Sequence, residues 1–130
     1  MRWGNLSRVL LPAGLAAAAC FATGAASAAG NAASGQQVFA RCAICHNAAK
    51  GAGSKIGPDL FGVVGRKAGA EPGFSYSAAM KSAGFAWTNA KLDTFIKQPA
   101  VALPGTRMPF AGIPSDSQRA GLIAYLDTLK

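Results

Sequence analysis

Two cysteines and the only histidine of the chain lie together in the segment Cys42-Ala43-Ile44-Cys45-His46. Positions i and i+3 of a helical turn lie on the same face, so both sulfur atoms can reach one planar group. Cys-x-x-Cys-His is the attachment pattern of c-type haem, in which two thiols form thioethers with the porphyrin and the histidine binds the iron. We therefore predict Cys42 and Cys45 as covalent attachment sites and His46 as an axial iron ligand.

Two other uses of this cysteine spacing fit the chain poorly. A structural zinc site needs four ligands, usually from two such pairs, and the sequence contains neither a second pair nor a second histidine. A thioredoxin-like redox pair needs a strand–helix–strand context, which the sequence does not indicate.

A haem that only transfers electrons needs a sixth iron ligand, and a second histidine is excluded. Met80 lies on a predicted short helical segment, where a methionine usually belongs to the core. Met108 lies in Pro104-Gly105-Thr106-Arg107-Met108-Pro109-Phe110, a loop braced by prolines that can hold a thioether in place. His/Met ligation is typical of electron-transfer haem proteins, so the pattern favours Met108. A peroxidase or gas sensor would instead need an open iron position.

The N-terminal segment indicates export. Arg2 and Arg8 form a positively charged region, an apolar alanine-rich stretch follows, and Ala26-Ser27-Ala28 offers a cleavage site. We expect residues 1–28 to be a cleaved signal peptide and residues 29–130 to form a single domain.

An uncleaved N-terminal segment that anchors the protein to a membrane is the alternative. The apolar stretch is short for a membrane span and is interrupted by Pro12 and Gly14. If the segment is cleaved, Cys20 leaves with it, and the mature chain keeps only the two cysteines of the haem pattern and forms no disulfide.

The charge of the chain favours an acidic protein partner. The sequence carries 13 basic and 5 acidic residues, for a net charge of +8, and it stays basic without Arg2 and Arg8. A basic exported protein can bind nucleic acid, an anionic membrane or an acidic protein surface. Nucleic acid is the weakest option, because aromatic residues are few and no block of five or six basic residues occurs.

The elements that must position the candidate ligands are predicted to be helices joined by loops, without repeats or clear strands. The glycine-rich stretch 51–73 is expected to be irregular. Helices are predicted over residues 33–43, over residues 75–82, from a cap at Thr88 or Asn89 to a point before Pro99, and after a capping box formed by Ser115 and Gln118. The last helix would present Leu122, Leu126 and Leu129 on an apolar face.

Nearly all of the chain after the signal resembles mitochondrial cytochrome c and its bacterial class I relatives. Besides the haem pattern, the shared segments occur in the order and at the spacings of that family: Gly57-Pro58-Asp59-Leu60, Gly65-Arg66-Lys67, Pro72-Gly73-Phe74-Ser75-Tyr76, Pro104-Gly105-Thr106-Arg107-Met108 and Leu122-Ile123-Ala124-Tyr125-Leu126. The resemblance implies an all-α cytochrome c fold, with three to five helices wrapped around one covalently bound haem c. Gly35 and Phe39 would mark the place where the first helix crosses the last.

The resemblance also implies roles for further side chains. The carbonyl of Pro58 would accept a hydrogen bond from the His46 ring. Arg66, Tyr76 and Trp87 would stabilise a haem propionate, a charge that is costly to bury alone. Two more aromatic residues, Phe95 and Phe110, would line the haem pocket.

Two positions depart from the family pattern inside the expected pocket. Phe95 stands where many relatives carry a tyrosine whose hydroxyl bonds the ligand sulfur, and Met80 stands where a polar asparagine is usual. Outside the pocket, Arg41, Lys55 and Arg107 fit the basic ring around the exposed haem edge. The mitochondrial protein is mostly lysine at the positions of Ala100, Val101, Pro114 and Ser115.

By this resemblance the protein would be a soluble periplasmic monomer that carries single electrons and is not an enzyme. Its electron donor would be a cytochrome bc complex or a dehydrogenase, and its acceptor an oxidase, a peroxidase or a photosynthetic centre of a respiratory or photosynthetic chain. Contacts with these proteins, including membrane proteins, would be transient and made through their acidic docking surfaces. The alternatives are a membrane-anchored cytochrome subunit and a haem peroxidase or gas sensor.

Overall fold

The computed structural model describes residues 30–130, so the expected signal peptide and its cleavage site lie outside the described residues. The described part forms five helices: α1 (Ala32–Ala43), α2 (Ala78–Lys81), α3 (Asn89–Lys97), α4 (Pro99–Ala102) and α5 (Asp116–Asp127). Its only β pairing is an isolated antiparallel bridge between Lys67 and Ala86. No helix in residues 30–130 combines the length and the apolar character that crossing a membrane requires. The predicted all-α fold is confirmed.

Side-chain caps set the starts of four helices. The side-chain oxygens of Asn31, Ser77, Thr88 and Ser115 each accept a hydrogen bond from a backbone N–H of the helix that follows. Such caps satisfy N–H groups that have no partner inside the helix. Thr88, rather than Asn89, is the cap of α3, and Ser115 accepts from the backbone N–H of Gln118 at 3.3 Å, as expected.

Three predicted details differ from the structure. The helix expected over residues 75–82 is confined to Ala78–Lys81, because its cap is Ser77. Pro99 does end α3, yet it also begins the unpredicted turn α4, where the fixed φ of proline suits a first helical position. Leu129 lies beyond the end of α5, because the backbone N–H and the hydroxyl of Thr128 both donate to the carbonyl of Tyr125.

Helices α1 and α5 cross at glycines. A Cβ added at Gly35 would collide with the backbone carbonyl of Gly121, so only glycine allows this close approach. Further along the crossing, the rings of Phe39 and Tyr125 pack with centroids 5.2 Å apart. The expected crossing of the first and last helices is therefore present, and it explains why α5 tolerates a glycine that costs about 1 kcal/mol relative to alanine.

A buried arginine joins the last helix to the segment that follows Met108. The side chain of Arg119 is only 3% exposed and forms ion pairs with Asp93 of α3 and Asp116 of α5. It also donates to the carbonyls of Ile113 and Pro114, each at 2.9 Å. A buried charge is tolerated when it is paired and hydrogen-bonded in this way, and here the pairing fixes one end of the Met108 loop.

Candidate cofactor site

A cavity of about 740 Å³ opens between the helices and the loops that connect them. Its size falls within the range of roughly 300–1,000 Å³ that is usual for ligand pockets. All ten residues predicted for the site line it: Cys42, Cys45, His46, Pro58, Arg66, Tyr76, Trp87, Phe95, Met108 and Phe110. The chain therefore brings together, in one cavity, residues that are up to 68 positions apart in the sequence.

The two cysteines lie on the turn that ends α1. The backbone N–H groups of Cys45 and His46 both donate to the carbonyl of Cys42, at 3.0 and 2.8 Å, which preserves the i, i+3 spacing expected for attachment to one group. Both thiols are free. Burial, partly offset by the charge of Arg41, raises the pKa of the Cys42 thiol to about 11. This thiol therefore stays neutral, whereas redox-active cysteines have lowered pKa values.

Two consecutive backbone positions orient the ring of His46. The Nδ1 atom lies 2.7 Å from the carbonyl oxygen of Pro58, and a carbonyl only accepts, so Nδ1 carries the hydrogen. The lone pair of Nε2 is then available to a metal. A Cβ at the buried Gly57 would collide with the imidazole ring, so the glycine makes room for the ring that the next residue orients.

The electrostatic surroundings keep His46 neutral. Burial lowers the pKa of its imidazole, and the charges of Arg66 and Lys55 lower it further, against the opposing effect of the hydrogen bond to Pro58. A metal binds only the neutral imidazole. Protons therefore do not compete with a metal for Nε2 near neutral pH.

The Met108 loop is held by hydrogen bonds as well as by its prolines. The backbone N–H of Met108 donates to the hydroxyl of Thr106 at 3.4 Å. The side chain of Arg107 donates to the carbonyl of Ser75, which is 32 positions away, at 2.8 Å. The prolines were the sequence signal for a rigid loop, but no local pattern indicated the contact with Ser75. Met80 is buried in the core and also lines the cavity. Both its expected place in the core and its expected place in the pocket wall are therefore present.

Arg66 supplies a positive charge to a cavity whose walls are mostly apolar. Its guanidinium donates to the carbonyls of Asp59 and Phe61, at 2.8 and 3.3 Å, and to the carboxylate of Glu71 at 2.6 Å. These three bonds leave two of the five N–H donors of an arginine for an anionic group. Glu71 is a functional candidate that the sequence reasoning missed, because nothing in the local pattern marks it as the partner of Arg66.

The hydroxyl of Tyr76 lies near this arginine. It accepts a hydrogen bond from the backbone N–H of Glu71 at 3.2 Å, which leaves its own O–H as a donor. Burial raises the pKa of the Tyr76 phenol, so the hydroxyl stays protonated near neutral pH. Arg66 and Tyr76 together can bind a carboxylate.

Trp87 and Phe95 form an aromatic part of the cavity wall. The buried indole of Trp87 packs against Phe85 and Phe95, with ring centroids 4.9 and 5.0 Å apart. The backbone N–H of Trp87 donates to the carbonyl of Arg66 at 2.8 Å. The aromatic wall and the cationic end of the cavity are therefore fixed to each other.

The rim of the cavity carries exposed apolar side chains. Ile44 and Ile56 are each 71% exposed and both line the cavity, as does the exposed Arg41. Lys55, expected to be part of the basic ring, is exposed and donates to the carbonyl of Ala43 at the end of α1, at 2.9 Å. Ile44 was visible in the sequence only as a spacer between the cysteines, so its exposure could not be inferred.

The residues present fit a covalently attached haem. Two free thiols on one turn can form two thioethers, and a neutral imidazole with a thioether side chain is a ligand set that haem iron accepts. Arg66 and Tyr76 can bind acidic substituents of the ring. The apolar walls suit the rest of the macrocycle. This fit rests on the chemistry of side chains that line the same cavity.

Comparison with known proteins agrees with this fit. The family model for cytochrome c matches residues 32–130. Cytochrome c2 of Rhodomicrobium vannielii is 46% identical over 103 residues, which cover 79% of this chain and 82% of that protein. Cytochrome c2 of Blastochloris viridis is 44% identical over 102 residues, which cover 78% of this chain and 80% of that protein. Among solved structures, cytochrome cH from Methylobacterium extorquens superposes with a TM-score of 0.72 at 41% identity, covering 76% of this chain and 99% of that one.

Proposed function

The chain belongs to the cytochrome c family, and from that premise we propose that it is a soluble periplasmic protein that carries single electrons between redox partners. As a class I c-type cytochrome it contains one covalently attached haem c, and it is an electron-transfer protein, not an enzyme. The haem iron supplies the chemistry by cycling between Fe(II) and Fe(III). The observation that supports the proposal best is that two free thiols, a neutral imidazole and a thioether line one cavity.

Four side chains hold the haem in this proposal. Cys42 and Cys45 form the thioethers, His46 binds the iron through Nε2, and Met108 is the second axial ligand. The contact of the His46 ring with the carbonyl of Pro58 and the hydrogen bond from the Met108 N–H to the hydroxyl of Thr106 support these roles. With Met108 as a ligand beside His46, the iron would lack the open position that a peroxidase or a gas sensor needs.

Other cavity residues hold the propionates and exclude water. Arg66 and Tyr76 donate to a propionate, and Trp87 lies beside Arg66 on the same wall. Phe95 and Phe110 cover apolar parts of the ring. A pocket with few water molecules, together with a methionine ligand, favours the reduced iron and raises the potential.

We assign residues 1–28 to a cleaved signal peptide and residues 29–130 to a single cytochrome domain exported to the periplasm. The charged, apolar and small-residue segments of the N-terminus support the export. The cytochrome c2 relatives come from bacteria. An apolar N-terminal segment that is retained would make the protein a membrane-anchored cytochrome subunit instead.

The exposed side chains at the rim of the cavity support a proposal for how partners bind. Ile44 and Ile56 offer apolar contact, and Arg41 beside them attracts an acidic surface. We propose that a monomer docks transiently on acidic surfaces of redox proteins. A cytochrome bc complex or a dehydrogenase would be the donor, and an oxidase, a peroxidase or a photosynthetic centre the acceptor, with no role for nucleic acid.

The mass of the protein purified from a bacterial periplasm tests the proposal most directly. We expect the mass of residues 29–130 plus one haem, retained under denaturing conditions. The double variant Cys42→Ser, Cys45→Ser should lose its haem under the same conditions, because no thioether remains. A mass that includes residues 1–28 would support the anchored subunit, and haem that stays with the denatured double variant would contradict the attachment.

A further inference from the structure

The ion pair between Arg66 and Glu71 is not explained by haem binding alone. Arg66 Nη1 lies 2.6 Å from Glu71 Oε2, and the two side chains are only 15% and 21% exposed. The backbone N–H of Glu71 also donates to the hydroxyl of Tyr76. Glu71 therefore contacts both residues that the proposed function uses to bind a propionate, Arg66 through its carboxylate and Tyr76 through its backbone N–H. The negative charge of that carboxylate opposes the binding of a second one nearby.

The charges at this end of the cavity affect which oxidation state the haem iron prefers. Arg66 alone would neutralise one propionate, but Arg66 paired with Glu71 is a neutral unit, so the propionate charge stays uncompensated. Negative charge near the haem favours Fe(III) over Fe(II), because Fe(III) carries the larger positive charge. Solvent screens a partly buried pair less than it screens surface charges.

On the basis of the proposed function, we infer that Glu71 is a positioning residue that lowers the midpoint potential of the haem by neutralising Arg66. It acts through the arginine and need not contact the haem. A purely structural role is the competing explanation, in which Glu71 only holds the loop between Arg66 and Tyr76. The two explanations make different predictions for a variant that removes the charge and keeps the shape.

Glu71→Gln in the haem-loaded protein is that variant, since the amide oxygen can still accept from Arg66. We expect its reduction equilibrium to shift toward Fe(II) by about threefold to tenfold, which is roughly 28–59 mV for a one-electron couple. Glu71→Asp keeps the charge and should retain the wild-type potential, even if it lowers the stability. A redox titration at pH 7 measures the shift, first at low salt and then in about 0.5 M NaCl, which is roughly three times the physiological ionic strength.

Asp127→Asn is the matched control. Asp127 accepts a hydrogen bond from Asn89 at 3.0 Å, so this variant also removes one charge while keeping an acceptor. Its partner Asn89 does not line the cavity, whereas Arg66, the partner of Glu71, does. We expect it to shift the potential by less than half as much, and the added salt should remove that shift. The Glu71→Gln shift should persist in salt.

The outcomes separate this inference from the proposed function. If the wild type shows a reversible one-electron couple and Glu71→Gln leaves its potential unchanged, lowers it, or shifts it no more than Asp127→Asn does, the inference is wrong and the proposed function stands. If the wild type carries no covalent haem or shows no such couple, both fail. Equal shifts in Glu71→Gln and Glu71→Asp would also overturn the inference, because they would reflect the loop and not the charge.

Discussion

Gly57→Ala tests the orientation of the proposed iron ligand His46. A Cβ at this position would collide with the imidazole ring, so the ring must turn away from the carbonyl of Pro58, which it now contacts at 2.7 Å. Overpacking of a tight site costs about 1–3 kcal/mol, and a lost hydrogen bond costs about 0.5–1.5 kcal/mol net. We therefore expect the free energy of unfolding to fall by on the order of 2–4 kcal/mol.

The same substitution should raise the midpoint potential. A carbonyl that accepts from Nδ1–H makes the imidazole a stronger donor to the iron, and stronger donation favours Fe(III). If less than about 1 kcal/mol of that bond differs between the oxidation states, the rise is on the order of 20–40 mV, since about 59 mV is a tenfold change for one electron. Urea unfolding and a redox titration of the haem-loaded protein measure the two effects.

Gly53→Ala is the control for the effect of a methyl group in the same loop. Gly53 has a φ of +77°, and a Cβ there would meet no atom within 4 Å. The substitution strains the backbone by about 1–2 kcal/mol but leaves His46 in place, so the potential should stay at the wild-type value. A Gly57→Ala protein with wild-type potential, and with a stability loss no larger than that of Gly53→Ala, would refute the reasoning.

Further substitutions test the ligand assignment, the aromatic wall and the docking surface. Met108→Ala should open the iron to added ligands, lower the midpoint potential and abolish the sulfur–iron charge-transfer band. Met80→Leu should retain that band. Loss of the band in Met80→Leu but not in Met108→Ala would transfer the ligand role to Met80. Phe95→Tyr should raise the potential by on the order of 20–60 mV if its hydroxyl donates to the ligand sulfur, and a titration without an upward shift would indicate that Phe95 only packs in the core. Arg41→Gln should slow electron transfer to an acidic partner at low salt more than Lys130→Gln does. The difference should disappear at physiological ionic strength, where the screening length is about 8 Å. Equal rates for the two variants in stopped-flow assays at low salt would exclude electrostatic steering by Arg41.

Local sequence patterns predicted most of the fold. Each cap expected from Ser, Thr or Asn chemistry depends on a contact within three residues, and the caps predicted at Ser115 and at Thr88 are present. The turn α4 was missed because Pro99 was interpreted only as the end of α3. Proline ends a helix because it has no backbone N–H, and it suits the first position of the next helix because of its fixed φ. The sequence alone did not distinguish these two roles.

Contacts between distant residues mark the limit of prediction within the site. The spacing of Cys42 and Cys45 is a local signal, and family resemblance added the partner of His46. The bond from Arg107 to Ser75 spans 32 positions, and the ion pair of Arg119 with Asp93 spans 26. Such pairs follow from how the helices pack, which depends on the whole chain.

Hydrogen bonds restrain the residues proposed as both iron ligands, and each of them involves at least one backbone group. A glycine makes room for the His46 ring and a backbone carbonyl sets its tautomer, while prolines and a hydrogen bond from its own backbone N–H restrain the segment of Met108. A ligand set fixed in this way needs little rearrangement between Fe(II) and Fe(III), because the site is organised before the electron arrives. An iron held by both proposed ligands in this way would transfer an electron without opening the position that catalysis would require.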